Sequence, residues 1–110
     1  MENFKQIDID EAHTMINKGN VTIVDIRDQE SYEAAHIKNA LTVNDKNVES
    51  FIRGTDKNKP LICYCYHGFS SQSAAEYFKQ NGFKEVYSVE GGFEKWKAVY
   101  PFVSIRDPLK

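Results

Sequence analysis

The sequence predicts an α/β domain in which a mostly parallel β-sheet carries helices on both faces. Short apolar runs alternate with helix-like segments along the 110 residues, and this alternation is typical of βαβ units. The run LICYC, from Leu61 to Cys65, is continuously apolar, as expected of a central strand that is buried on both sides. Ligand sites in such sheets lie beyond the carboxyl ends of the strands, and Cys65 stands at such an end.

Capping residues mark the starts of the predicted helices. Asp8 and Glu11 form a capping box before the first helix, which Gly19 can end, and Asp28 and Asn44 are placed to cap the next two. The predicted helices are, in chain order, EAHTMINK, QESYEAAH, DKNVESFIRG, residues 71–80 and FEKWKAVY.

Runs rich in β-branched residues predict the strands between these helices. The predicted strands are, in chain order, VTIVDI, ALTV, LICYC and EVYSV, and Gly91-Gly92 forms a turn after the last one. We expect a single domain over residues 1–110, with its core at about 5–100. The tail, residues 101–110, carries no readable chemistry, and we expect it to be partly loose.

Composition and charge exclude several classes of function. A formal net charge of −2 argues against nucleic acid or an anionic membrane as partner, and the longest apolar run is too short to span a bilayer. The N-terminal stretch MENFKQIDIDEAH has no apolar segment typical of a signal peptide. A bridge between Cys63 and Cys65 would be strained, so we expect reduced thiols and a cytoplasmic protein.

Cys65 is the candidate nucleophile because it lies where an apolar strand gives way to a loop and then a helix. A thiol reacts only as the thiolate, and the N–H groups at a helix N-terminus favour an anion. Gly68 allows the loop to curl because it can adopt positive φ. Ser70 and Ser71 can donate hydroxyl hydrogen bonds and cap the helix. The hypothesis is therefore an anion cradle, built mainly from backbone, around the sulfur of Cys65.

Three sequence blocks, in order, resemble the rhodanese domain. Asp25, Arg27 and His36 match the family's Asp-x-Arg and His-Ile-x-x-Ala segments, and CYHGFSS resembles its six-residue active loop. VYSVEGGFEKW resembles its Gly-Gly-x-x-x-Trp ending, here Gly91, Gly92 and Trp96. The family's small single-domain thiosulfate sulfurtransferases similarly carry Cys-Tyr-His-Gly. Ala35 stands where the family usually has glycine.

The resemblance implies a two-step sulfur transfer with Cys65 as catalytic residue and a persulfide on it as intermediate. It implies a small anionic sulfur donor such as thiosulfate, a thiol or cyanide as acceptor, and no metal or organic cofactor. The implied substrate-binding loop consists of Tyr66, His67, Gly68, Phe69, Ser70 and Ser71. Unlike many members, this loop has no arginine or lysine, which leaves the anion to backbone amides and serine hydroxyls. Size is compatible with a monomer or a weak dimer.

Structural interpretations stand beside the functional ones. Cys63 is expected to pack in the core rather than act as a resolving thiol, and His67 either contacts substrate or simply faces solvent. Asp25 and Arg27 are expected to form an ion pair or brace the loop. Other expectations are a structural His36, a surface His13, and Trp96 in the core or, with Phe69, lining a wall of the site. Cys63, Cys65 and His67 alone are too few for a structural zinc site.

Two rival functions remain at the level of sequence. A phosphatase or arsenate reductase needs an arginine after Cys and five residues, because a tetrahedral oxyanion requires a bidentate cation, but Ser71 occupies that place. The other rival is a persulfide carrier in a sulfur relay with a partner protein, which needs the same thiolate and loop. A catalytically inactive scaffold is disfavoured because Cys65 is present.

Overall fold

Five parallel strands form one sheet in the computed structural model, which describes residues 4–105. The sheet order is β1-β5-β4-β2-β3, and every neighbouring pair is parallel, which confirms the predicted parallel sheet. The strand bounds are β1 (Lys5–Ile7), β2 (Thr22–Asp25), β3 (Leu41–Thr42), β4 (Leu61–Tyr64) and β5 (Val86–Val89).

Helices cover both faces of this sheet, as predicted. Apolar side chains of α1, α2 and α5 pack on one face, and those of α3 and α4 pack on the other. The central strand β4 serves both layers, since Ile62 and Tyr64 join the first cluster while Leu61 and Cys63 join the second. The helix bounds are α1 (Ile9–Lys18), α2 (Gln29–Ala34), α3 (Val48–Gly54), α4 (Ser70–Gln80) and α5 (Gly92–Val99).

The predicted caps hold for the first two helices but not for the third. The Asp8–Glu11 capping box and the Asp28 cap are both present. Asn44 does not cap α3, because its side chain accepts hydrogen bonds from two N–H groups of the preceding turn, and the helix begins only at Val48. An asparagine that can bond its own following backbone favours such a turn over a helix start.

Both ends of the described chain are attached to the domain. The edge strand β1 was not predicted, because two of its three residues are polar and exposed. In the tail, Val103 forms an antiparallel bridge with His36, and the Ile105 N–H donates to the Glu33 carbonyl. The rest of the tail, residues 106–110, lies outside the described residues. Within residues 4–105 no helix is both long and apolar enough to cross a membrane.

The first turn of α5 holds the segment that follows β4. The Phe93 N–H donates to the Cys65 carbonyl at 2.9 Å, and the Glu94 N–H donates to the Tyr66 carbonyl at 3.0 Å. Gly92 permits this approach, since a Cβ there would lie 2.5 Å from the Cys65 oxygen and 2.6 Å from the Tyr66 oxygen. Its φ of +57° also favours glycine. The N-terminus of α5 therefore holds the carbonyl groups of Cys65 and Tyr66 pointing toward this helix.

Arg27 braces the same region from the end of β2. Its guanidinium donates to the Asp25 carboxylate, with a shortest N–O distance of 2.8 Å, and to the Ala35 carbonyl at 2.6 Å. It lies 4.4 Å from the ring centre of Phe93 and 5.7 Å from that of Tyr66. Burial disfavours the cation, but the hydrogen bonds and charge of Asp25 outweigh it and raise the pKa of Arg27. The predicted ion pair is confirmed.

Gly92→Ala tests the close approach of α5 to the loop. The added Cβ would meet two backbone oxygens, so we expect a loss of about 1–3 kcal/mol in the free energy of unfolding, measured by urea denaturation. Gly54→Ala is the matched control, because Gly54 lies in α3 with open space at its Cβ position, and it should lose no stability. Equal losses in the two variants would contradict the contact.

Arg27→Met tests the brace. The variant leaves the Asp25 carboxylate, which is 0% exposed, without its cation, and the expected loss in urea denaturation is about 3–5 kcal/mol. The double variant Asp25→Asn/Arg27→Met removes both charges and should lose less than the single variant. A double variant that is less stable than the single one would show that the unpaired charge is not the dominant effect.

Candidate active site

Cys65 is the first residue after β4 and lies at the carboxyl end of the sheet, where a ligand site was predicted. Cys65 is 6% exposed. The chain from Cys65 to Phe69 forms a short loop that leads directly into α4. The reactive group is therefore placed between the end of a central strand and the N-terminus of a helix.

Three polar groups surround the Cys65 sulfur. The Gly68 N–H and the Ser71 N–H donate to Sγ at 3.1 Å and 3.3 Å. The Cys65 thiol itself donates to the Ser71 hydroxyl oxygen at 3.5 Å, and in the thiolate, which has no hydrogen, the hydroxyl donates to the sulfur instead. Gly68 has a φ of +95°, and a Cβ there would come within 2.8 Å of the Gly91 nitrogen. The loop thus curls around the sulfur as the hypothesis of a backbone cradle requires.

The sulfur of Cys65 takes the place of a capping oxygen for α4. The N-cap residue is Phe69, which offers no side-chain acceptor, and Ser71 is the second residue of the helix. A capping side chain normally accepts from that N–H group or the next, and here the sulfur accepts it instead. The prediction that Ser70 and Ser71 cap the helix was wrong, because both lie inside its first turn.

These contacts make Cys65 the more acidic of the two free thiols. Burial disfavours the Cys65 thiolate, but hydrogen bonds from the Ser71 hydroxyl and from the Ser71, Gly68 and His67 N–H groups outweigh it and lower the pKa of Cys65. Burial, helped by the nearby Cys65, strongly raises the pKa of Cys63. Cys63 is fully enclosed, and its thiol donates to the Ser71 carbonyl at 3.4 Å. It packs in the core, as expected.

The loop residues divide into two groups. Gly68 and Ser71 contact the sulfur, whereas the side chains of Tyr66, His67, Phe69 and Ser70 are exposed. The Tyr66 and His67 rings stack on each other with centres 5.1 Å apart, and Phe69 is 76% exposed. None of these four side chains is hydrogen-bonded to the Cys65 sulfur in the described structure.

Trp96 belongs to the core rather than to the site. It is buried in the cluster formed by α1, α2 and α5, and its indole N–H donates to the Pro101 carbonyl at 2.9 Å. Of the two aromatic residues proposed for a wall beside the nucleophile, Phe69 alone lies in the loop. Trp96 instead ties the end of α5 to the start of the tail.

The two remaining histidines serve packing. His36 is buried, its ring stacks on Tyr32 at 3.8 Å, and its Nδ1 lies 2.6 Å from the Tyr32 carbonyl oxygen, which agrees with the structural role expected. The prediction that His13 is a surface residue was wrong. It is half-buried between α1 and α5, and its ring stacks on Tyr100 with centres 3.9 Å apart. Within residues 4–105 no three His, Cys, Asp or Glu side chains are grouped closely enough to bind a metal ion.

Sequence reasoning missed three residues that shape the site. Gln72 donates from its side chain to the Gly68 carbonyl at 3.0 Å, Gly92 fits under the Cys65 carbonyl, and the Ser88 hydroxyl lies 2.7 Å from that of Ser71. Gly92 was part of a predicted turn, which hints at a close approach but not at its partner. Gln72 and Ser88 carry no local signal, since their partners depend on how α4 packs on the sheet.

Comparison with known proteins agrees with this geometry. The family model described as "Rhodanese-like domain" matches residues 8–99. The chain is 49% identical over 98 residues to the thiosulfate sulfurtransferase GlpE of Coxiella burnetii (strain RSA 331 / Henzerling II), covering 89% of this chain and 92% of the relative. It is 48% identical over 101 residues to GlpE of Pseudomonas fluorescens (strain SBW25), covering 92% of each.

Solved structures show the same fold. A crystal structure of a rhodanese-like domain protein from Staphylococcus aureus superposes with a TM-score of 0.74 at 29% identity, covering 84% of this chain and 91% of that one. The family model spans most of the chain, and the relatives match it over nearly their whole length. The chain belongs to the rhodanese-like domain family.

Proposed function

We propose that this protein is a thiosulfate sulfurtransferase that carries sulfur on Cys65. The observation that carries the proposal is the convergence of the Gly68 N–H, the Ser71 N–H and the Ser71 hydroxyl on one sulfur at the end of a central strand. Family membership and the relatives named thiosulfate sulfurtransferase support the same activity. The two free thiols suit a reducing compartment, for which we propose the cytoplasm.

In the first step the Cys65 thiolate attacks the outer, sulfane sulfur of thiosulfate. A bond forms between the two sulfurs, the original S–S bond breaks, and its electron pair leaves with sulfite. In the second step an acceptor such as cyanide attacks the outer sulfur of the persulfide, and the electron pair of that bond returns to Cys65 as the thiolate. This is covalent catalysis in two half-reactions.

The loop can stabilise the charge in both half-reactions. The Gly68 and Ser71 N–H groups act on Sγ itself, as donors aimed at developing charge do in other enzymes. The N–H groups of Phe69 and Ser70 donate to no acceptor within the described part of the chain. We propose that these two groups bind the outer sulfur of the persulfide or an oxygen of thiosulfate, and that the exposed side chains of Tyr66, His67, Phe69 and Ser70 contact the incoming substrate.

A phosphatase is not supported by the position of Ser71. Its hydroxyl lies 3.5 Å from the Cys65 sulfur and 2.7 Å from the Ser88 hydroxyl, so it is turned inward. An arginine in the same place would offer a bidentate clamp for a tetrahedral oxyanion, and a buried serine cannot. Transfer of a single sulfur atom needs no such clamp.

Cys65→Ser tests the nucleophile. Turnover in the thiosulfate:cyanide assay should fall by roughly three orders of magnitude or more, and intact-mass measurement should find no one-sulfur adduct after exposure to thiosulfate. Cys63→Ala is the matched control and should retain both, because Cys63 lies in the core. Undiminished turnover in Cys65→Ser would reject the assignment. An adduct on the wild type with a donor protein but none with thiosulfate would identify a relay carrier instead.

The lowered pKa of Cys65 predicts a pH dependence for its alkylation. In the Cys63→Ala background, the rate with iodoacetamide should reach half its maximum at a lower pH in the native protein than in urea, because the donors exist only in the folded loop. By linkage, the wild type should gain stability over Cys65→Ala above the ordinary thiol pKa of about 8.5 and lose that gain as pH falls through the native value. A native midpoint at or above the denatured one would contradict the cradle.

A further inference from the structure

Ser88 is a buried polar residue that takes no part in the two proposed half-reactions. It lies in β5, is 0% exposed, and pairs in register with Cys63 of β4. Side chains of paired residues on neighbouring strands point to the same face of a sheet, so Ser88 faces the layer formed by α3 and α4. Most buried side chains of that layer are apolar, and a hydroxyl is unfavourable there unless it is hydrogen-bonded.

The Ser88 hydroxyl finds its partner in the active loop. Its oxygen lies 2.7 Å from the Ser71 hydroxyl oxygen, and the latter lies 3.5 Å from the Cys65 sulfur. All three groups are buried. Within residues 4–105 the Ser88 side chain has no other hydrogen-bond partner. A short chain of polar groups therefore runs from β5 through the first turn of α4 to the nucleophile.

We propose that Ser88 is a positioning residue that directs the Ser71 hydroxyl hydrogen onto the Cys65 thiolate. A hydroxyl has a single hydrogen. When Ser88 donates its hydrogen to the Ser71 oxygen, the Ser71 hydrogen is left for the sulfur, and a hydroxyl that accepts a hydrogen bond becomes a better donor. The assignment rests on the role proposed for Cys65 and adds a residue that touches neither sulfur nor substrate.

The geometry explains why Ser71 alone would be a weaker donor. Its contact with the sulfur is long, at 3.5 Å, whereas its contact with Ser88 is short, at 2.7 Å. The short bond to Ser88 therefore fixes the rotamer of Ser71, and this rotamer keeps the Ser71 hydroxyl within reach of the Cys65 sulfur. The same aid is required twice in each reaction cycle, since Cys65 is a thiolate before it attacks the donor and again when it releases sulfur to the acceptor.

Other titratable groups near Cys65 have separate roles. Cys63 remains a thiol because burial raises its pKa, and Asp25 and Arg27 from the end of β2 are bound to each other. Exposed titratable residues of the loop and of the segments packed against it are Tyr66, His67, Glu90, Glu94, Lys95 and Lys97. None of them contacts the Ser88 hydroxyl in the described structure.

The first test measures the pKa of Cys65 from the pH profile of iodoacetamide alkylation in the Cys63→Ala background. Ser88→Ala should move the midpoint to higher pH and lower the rate at neutral pH about two- to fivefold, a modest change because the backbone N–H donors remain. In a Ser71→Ala background the further change Ser88→Ala should have no effect, because the intermediary is absent. An unchanged profile in Ser88→Ala, or an equal shift in both backgrounds, would overturn the proposal.

A second pair of variants separates the hydroxyl from packing. Ser88→Thr and Ser88→Val add the same bulk to the buried site, but only threonine keeps the hydroxyl. In Ser88→Thr the alkylation midpoint of Cys65 should lie near the wild-type value, whereas in Ser88→Val it should shift as in Ser88→Ala. Identical profiles in Ser88→Thr and Ser88→Val would overturn the proposal. The profile in His67→Gln shows whether His67 contributes to it. Because alkylation needs no turnover, a failure of Ser88 here is distinct from a failure of sulfur transfer, which the assay with Cys65→Ser reports.

Discussion

The site depends on one interaction: the Cys65 sulfur accepts hydrogen bonds from backbone N–H groups. The sulfur caps α4 in place of a side-chain oxygen, so the start of the helix and the acidity of the thiol have the same cause. Burial alone would keep the thiol neutral, and the hydrogen bonds reverse its effect. A thiolate accepts such bonds more strongly than a thiol. Ionisation of Cys65 and order in the loop therefore support each other.

The first turn of α5 helps to orient the loop. A peptide unit carries its N–H and C=O on opposite sides, so the hydrogen bond from the Glu94 N–H to the Tyr66 carbonyl turns the His67 N–H of the same unit toward the Cys65 sulfur. The N–H groups in the first turn of α5 would otherwise lack partners. Two helix N-termini thus meet at the loop, α4 acting on the sulfur and α5 on the carbonyls. Gly68 and Gly92 stand where these elements come closest.

Much of this could be predicted because the relevant signals are local in sequence. The capping box, the apolar run of β4 and the position of Cys65 before a helix each depend on neighbouring residues. The prediction that Asn44 caps α3 was wrong because its side chain accepts hydrogen bonds within the turn before this helix. Sequence spacing alone does not distinguish such a turn from a helix cap. Ser88 could not be found because its partner lies 17 residues away on α4. Only the register of β4 with β5 and the packing of α4 bring them together.

The loop contains no cationic side chain, and the charge on Cys65 explains why none is needed: it is the same before and after sulfur is transferred to it. A thiolate and a persulfide each carry one negative charge, so donors arranged for the first state also suit the second. Phosphoryl transfer differs, because the oxyanion itself becomes bonded to the nucleophile and is held by a bidentate cation, whereas thiosulfate, also a dianion, leaves only its outer sulfur on Cys65. Neutral N–H donors can bind the thiolate and the outer sulfur of the persulfide by hydrogen bonds alone, and the outer sulfur remains open to attack by an acceptor. The Ser71 hydroxyl is directed toward Cys65 and Ser88. It therefore suits transfer of a sulfur atom through Cys65 rather than binding of a substrate oxyanion by this residue.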